Sequence, residues 1–101
     1  MITLIVTLDI KPDRYFDFLD ETRVARDRTL QEFCSKGYTI NNNPDKEDSV
    51  ILIETYENQM RLDHHKTTEH FIHWKKATED MILAKQVVRY ESLQDPYPKT
   101  R

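Results

Sequence analysis

The sequence predicts an α+β domain of order β-α-β-β-α-β, and three observations carry that prediction. Residues 2–10 largely alternate apolar and polar with a period of two, the signature of a strand with one strongly buried face, and residues 49–56 read as a strand with apolar residues on both faces. Apolar residues between positions 15 and 33, and again between 58 and 82, recur instead at spacings of three and four, the period of a helix with one apolar side. The cluster Asn41-Asn42-Asn43-Pro44-Asp45 breaks the chain between two apolar stretches and so sets up a hairpin.

Each element can be argued from its residues. Ile2, Leu4, Val6, Leu8 and Ile10 form one face of the first strand, opposite Thr3, Ile5, Thr7 and Asp9. Pro12 then suits a first helical turn, where a missing N–H costs nothing, and Asp13 favours the positive helix end. In the long helix begun there, Tyr15, Phe18, Leu19, Thr22, Ala25, Thr29, Leu30 and Phe33 are expected to face the core. The charges between Asp20 and Arg28 are read as solvated surface. Tyr38 and Ile40 mark a short second strand after Gly37, and Ser49 to Tyr56 a third with apolar side chains on both faces. Asn58 can cap a short helix to about Lys66, and Thr67 or Thr68 a second one through Phe71, Trp74, Thr78, Met81 and Ile82. Gln86 to Leu93 supplies the last strand, with Val88 and Tyr90 on one side and Val87 on the other. One domain over residues 1–94 and a proline-containing tail over 95–101 are expected. This order is the split βαβ of a ferredoxin-like sandwich, helices on one sheet face. The apolar residues of the other face need separate cover, most simply the same face of a second chain. A homodimer is therefore expected.

Composition narrows the function. A chain of 101 residues buries roughly 60 to 65 % of its unfolded surface, enough for one core. The net charge of −3 and a pI near 5.8 offer no electrostatic footprint for nucleic acid. Cys34 is the only cysteine, which excludes an intrachain disulfide or a CxxC pattern and points to a reducing, cytoplasmic setting; it reads as a small core residue. With Gly37 as the only glycine, there is no phosphate-cradling loop. The opening ten residues are apolar but interrupted by Thr3, Thr7 and Asp9, and far shorter than the ~20 residues of a membrane span. No membrane or nucleic-acid partner is expected.

All four histidines, at 64, 65, 70 and 73, lie within one ten-residue window, making it the place to look for proton transfer near neutral pH. His65 is either a general acid–base or a helix-end histidine favoured by the dipole. Lys66 could stabilise a developing enolate or simply face solvent, and His70 could orient a pocket or cap a turn. His70 and His73 are spaced for a metal, but no neighbouring carboxylate completes a ligand set, so neither a metal nor another cofactor is expected. Glu54 lies in an otherwise apolar strand and needs a partner, as a pocket acid or in an ion pair. Tyr38, Tyr56, Phe71 and Trp74 line either an aromatic-friendly cavity or plain core. Asn41 could bind a substrate oxygen or shape the turn.

The run Ile53-Glu54-Thr55-Tyr56-Glu57, with Leu62-Asp63-His64-His65-Lys66-Thr67-Thr68-Glu69-His70-Phe71 after it, resembles the antibiotic biosynthesis monooxygenase superfamily over nearly the whole chain. That resemblance implies a dimeric α/β barrel. It also implies chemistry without metal or flavin, in which an electron-rich phenolic substrate itself activates oxygen. Glu69 stands where the family has proline. The segment His65 to Phe71 is most similar to the branch containing the isomerase of phosphorylated autoinducer-2, which implies proton transfer on a hydroxy-ketone instead. The haem-degrading branch uses an Asn in the first strand together with a Trp and a His on the helices. This chain has Thr7 and no Asn in that strand, and its Trp74 lies beyond the short helix, so haem chemistry is not expected. The leading expectation is a cofactor-independent monooxygenase-like enzyme acting on a small phenolic or carbonyl substrate. Its alternatives are the isomerase and a non-catalytic dimeric ligand-binding or stress-response module.

Overall fold

The computed structural model describes residues 1–33 and 35–93. The strands β1 (Ile2–Ile10), β2 (Ser35–Asn42), β3 (Ser49–Tyr56) and β4 (Ile82–Glu91) form one sheet in the order β2-β3-β1-β4, every neighbouring pair antiparallel. The helices α1 (Tyr15–Leu30), α2 (Gln59–His65) and α3 (Glu69–Thr78) complete the expected ferredoxin-like α+β order.

The alternation of β1 and β3 decides which face is buried. Register pairs Val6 with Leu52 and Leu8 with Val50, and these join Phe18 and Ala25 of α1 and Trp74 of α3 in the main core. Phe18 and Leu52 are wholly buried, each contributing about 1.5–3 kcal/mol by leaving water. The helix threonines fit this interior by satisfying their own hydroxyls. Thr29 donates to the carbonyl of Ala25 at 2.7 Å, Thr78 donates to that of Trp74 at 2.7 Å, and Thr22 accepts from the indole N–H of Trp74 at 3.0 Å. That last bond ties α1 to α3 across the core.

Four boundaries and faces differ from the sequence reading. Pro12–Arg14 form a separate 3-10 turn before α1. Leu30, the last residue of α1, and Phe33 are exposed, Phe33 at 86 %, the latter because the helical period no longer directs side chains beyond the helix end. The third helix stops at Thr78, with a 3-10 turn to Met81 and Ile82 already in β4. β4 thus begins four residues earlier than Gln86, its Ile82 pairing with Ile10 after a register shift. The tail 95–101 and the core placement expected for Cys34 lie outside the described residues.

The second sheet face carries Thr3, Ile5 and Thr7 of β1 against Thr55, Ile53 and Ile51 of β3. All six are at least partly exposed, since the helices pack on the other face. Among the described residues, no helix is long and apolar enough to cross a membrane.

Candidate active site

Asn58 caps α2, its side-chain oxygen accepting from the backbone N–H of Arg61 at 3.0 Å. Seven residues later the helix ends on His65, which shares a face with Leu62, the two being its buried residues. Thr68 then caps α3 through the N–H of Phe71 and donates to the carbonyl of His65 at 2.7 Å. One hydroxyl therefore both starts α3 and fixes the end of α2, so the sharp turn between them is what presents His65 and His70 to the same point.

That point is Glu32, just beyond α1. Its Oε2 lies 2.7 Å from Nδ1 of His65 and 2.6 Å from Nε2 of His70. A carboxylate oxygen only accepts, so each of these ring nitrogens carries a hydrogen, and a neutral His65 keeps its lone pair on Nε2. His65 is 3 % exposed, with the rings of Tyr56 and Phe71 each 5.0 Å away. Its ring is held in one orientation by packing on both sides and a charge-assisted bond at one end.

His65 borders a cavity of about 20 Å³ lined also by Ala25, Thr29, Tyr38, Glu54, Phe71 and Trp74, room for about one water molecule. Register explains the meeting of Tyr38 and Glu54, which pair across β2 and β3 on the helix-covered face. Glu54 accepts a 2.7 Å hydrogen bond from the Tyr56 hydroxyl on Oε1. Burial pushes its carboxyl above the ordinary carboxylate range, outweighing the Tyr56 bond and the attraction of His65 and Lys85. Burial likewise pushes the Tyr38 phenol up, with Glu54 adding to it. A wider groove of about 290 Å³ between α1 and α3 is lined by Val24, Arg28, His70 and His73 and shares Ala25 and Trp74 with the cavity.

Of the residues singled out in sequence, the fold brings His65, Tyr38, Glu54, Phe71 and Trp74 around one cavity, with Tyr56 supporting Glu54 from below and His70 reaching Glu32. It does not bring two others there. Lys66 is exposed at the end of α2, because the helical turn that buries His65 directs its neighbour outward. Asn41 pairs with Ile51 and donates to that residue's carbonyl at 3.0 Å, one residue out of phase with Tyr38 and so on the opposite face. His73 is likewise separated from His70, contacting Glu21 at the surface at 3.1 Å.

Glu32 was missed by the sequence reading, which saw no carboxylate near the histidines. Its partner His65 is 33 positions away, and nothing local marks it. Glu32, His65 and His70 place three ligating atoms within 4.8 Å of one another, a set that matches a two-histidine, one-carboxylate site in type. The 2.6 and 2.7 Å separations are hydrogen-bond lengths, however, whereas donors sharing one ion at ~2.1 Å stand ~3 Å or more apart. The geometry fits protons between these atoms better than an ion.

A ferredoxin-like domain with a carboxylate-held histidine against a small polar cavity defines the class: a small α+β protein with a candidate acid–base site. Residues 1–77 match the antibiotic biosynthesis monooxygenase family, and the chain belongs to it. It is similar in fold to a proposed antibiotic biosynthesis monooxygenase of Nitrosomonas europaea, at 24 % identity and a TM-score of 0.86, covering 92 % of this chain and 99 % of that one. A protein of Caulobacter crescentus carrying the same family description aligns with a TM-score of 0.87 at 18 % identity, over 92 % of this chain and 90 % of that one. A Bacteroides thetaiotaomicron protein described as a possible oxidoreductase reaches 0.84 at 18 % identity, over 90 % and 96 %. No match was found among curated proteins.

Proposed function

We propose that this protein is a cytoplasmic, cofactor-independent enzyme that begins catalysis by removing a proton from a small phenolic or carbonyl substrate, with Nε2 of His65 as the base. The observation that carries this reading is the 2.7 Å contact between Glu32 and Nδ1 of His65, which leaves Nε2 as the basic nitrogen of a ring that borders the cavity and would stabilise the imidazolium that forms. In the monooxygenase reading, the resulting carbanion reduces dioxygen and forms a C–O bond. The O–O bond then breaks, and one oxygen leaves as water with two hydrogens from the substrate.

The isomerase is the second reading, and the buried Glu54 favours it. A carboxyl whose proton burial holds more tightly, in the cavity that His65 also lines, supplies an acid alongside a base, as moving a hydrogen between the carbons of a hydroxy-ketone requires. An oxygen electrode separates the two: uptake stoichiometric with product supports monooxygenation, and turnover without uptake supports isomerisation. His65→Ala is expected to lower turnover by about a hundredfold or more with the fold retained. Turnover near the parent rate in that variant would return His65 to a purely structural role, as in a non-catalytic binding module.

We also propose a homodimer closed through the open sheet face. Ile5, Ile51 and Ile53 stand there among threonines, an apolar patch suited to a second copy of itself.

A further inference from the structure

The cavity among Tyr38, Glu54 and His65 is too small for a substrate and too polar to be a packing defect. Its volume of about 20 Å³ suits one oxygen atom or one water. Tyr38, Glu54 and His65 border it, with the hydroxyl of Thr29 and the indole of Trp74 already bonded to Ala25 and Thr22. Tyr38, 6 % exposed, lines the cavity opposite Glu54, its partner in the pairing of β2 with β3. Glu54 engages Tyr56 through Oε1 alone. His65 spends only Nδ1 on Glu32.

We propose that this cavity is an oxyanion subsite, which receives the carbonyl or phenolic oxygen of the substrate between the hydroxyl of Tyr38 and the carboxyl of Glu54. This rests on the reading of His65 as the base. The rest of the ligand lies in the neighbouring groove, since Ala25 and Trp74 border both spaces and the cavity itself has no room for a ring. The substrate class is therefore a small enolisable ketone or phenol presenting one unhindered oxygen.

The step balances without any other reactant. Nε2 of His65 takes the hydrogen on the carbon next to the carbonyl as a proton. The C–H pair becomes the new C=C bond, and the C=O π pair moves onto oxygen. Tyr38 and Glu54 donate to the oxygen that gains the charge, and Glu32 faces the imidazolium. Burial favours the protonated form of Glu54 and the neutral phenol of Tyr38, the forms able to donate, as in other sites where an apolar setting keeps a carboxylic acid neutral. Preorganised donors of this kind need no reorganisation as charge develops.

The probe is 4-nitrophenolate, whose absorbance reports both its binding and its ionised state. The full-length parent is expected to bind it, and Tyr38→Phe to weaken that binding about tenfold or more, the usual effect of losing a hydrogen bond to a charged group. Because Tyr38→Phe keeps the ring and its packing, it should melt close to the parent, and weakened binding with an unchanged melting temperature is a combination that a structural tyrosine would not give. Glu54→Gln keeps a donor and should retain most of the affinity, whereas Glu54→Leu should lose it. Parent-like affinity in Tyr38→Phe, or no binding by the parent at millimolar probe, overturns the subsite. Exchange of a ketone's α-hydrogen for deuterium in His65→Ala tests the base separately. Exchange at the parent rate alongside weakened probe binding in Tyr38→Phe would sink the base and leave the subsite standing. Lost exchange with unchanged probe binding would do the reverse.

Discussion

Glu32 and His65 are 33 residues apart in the chain and 2.7 Å apart in the fold. The carboxylate fixes the hydrogen on Nδ1 and so leaves the other nitrogen free for the role of base proposed for His65. Glu32→Gln preserves volume but can donate as well as accept. It should allow the opposite tautomer, with the hydrogen on Nε2, and lower turnover by about a hundredfold or more while changing KM little. Steady-state kinetics with a confirmed substrate, together with ¹⁵N imidazole spectra assigning the tautomer, checks this. An unchanged rate with an unchanged tautomer would show that Glu32 does not direct His65.

The carboxyl of Glu54 gives stability a defined dependence on pH. Its pKa in the fold lies above the ordinary value of 4.5, first because of burial, so the folded state holds that proton more tightly than the unfolded chain. The stabilisation is fully present below 4.5 and is lost as pH rises through the folded value. Glu54→Gln has no such proton. Its urea midpoint should gain on the parent's as pH is raised from mildly acidic to neutral, and a constant difference across that range would contradict the assignment. Asp9 shifts the other way, its carboxyl held below 3.8 chiefly by hydrogen bonds from Lys46 and Ser49, so its contribution disappears only at more acidic pH.

Trp74 depends on Thr22 for the partner of its indole N–H. Thr22→Val keeps the shape and removes the acceptor in a wholly buried setting. Leaving a buried donor unsatisfied costs about 1–3 kcal/mol, and the melting temperature should fall by several degrees. Thermal unfolding monitored by circular dichroism reads the effect directly.

Lys66 is expected to be dispensable. It is exposed at the end of α2, so Lys66→Ala should turn over substrate within about twofold of the parent, surface substitutions away from special features being nearly neutral. A loss approaching that of His65→Ala would restore it to the site.

The open sheet face predicts the assembly. Sedimentation at micromolar concentration should give a dimer, and Ile51→Asp, which puts a charge in the middle strand pair of that face, should shift it to monomer because the charge would be buried without a partner. A parent that sediments as a compact monomer would remove the argument for closure by a second chain.

The sequence by itself determined the order of the elements and the faces of β1 and β3, because a period of two or of 3.6 is a local property carried by neighbouring residues. It also determined that His65 ends a short helix, since Asn58 and Thr68 mark the capped starts on either side of it. It misjudged places where that local period stops: Phe33, beyond the last turn of α1, and the early start of β4, where pairing with Ile10 takes Ile82 into the sheet. The site was legible only in part for the same reason. Which side chains meet His65 depends on the register of β2 against β3, which admits Tyr38 and turns Asn41 away, and on the point where α1 ends, which delivers Glu32. Contacts between residues more than thirty positions apart leave no local period in a single chain. Only the tertiary packing of α1 over the sheet, with the sharp turn between α2 and α3, decided that one carboxylate would be shared by two histidines.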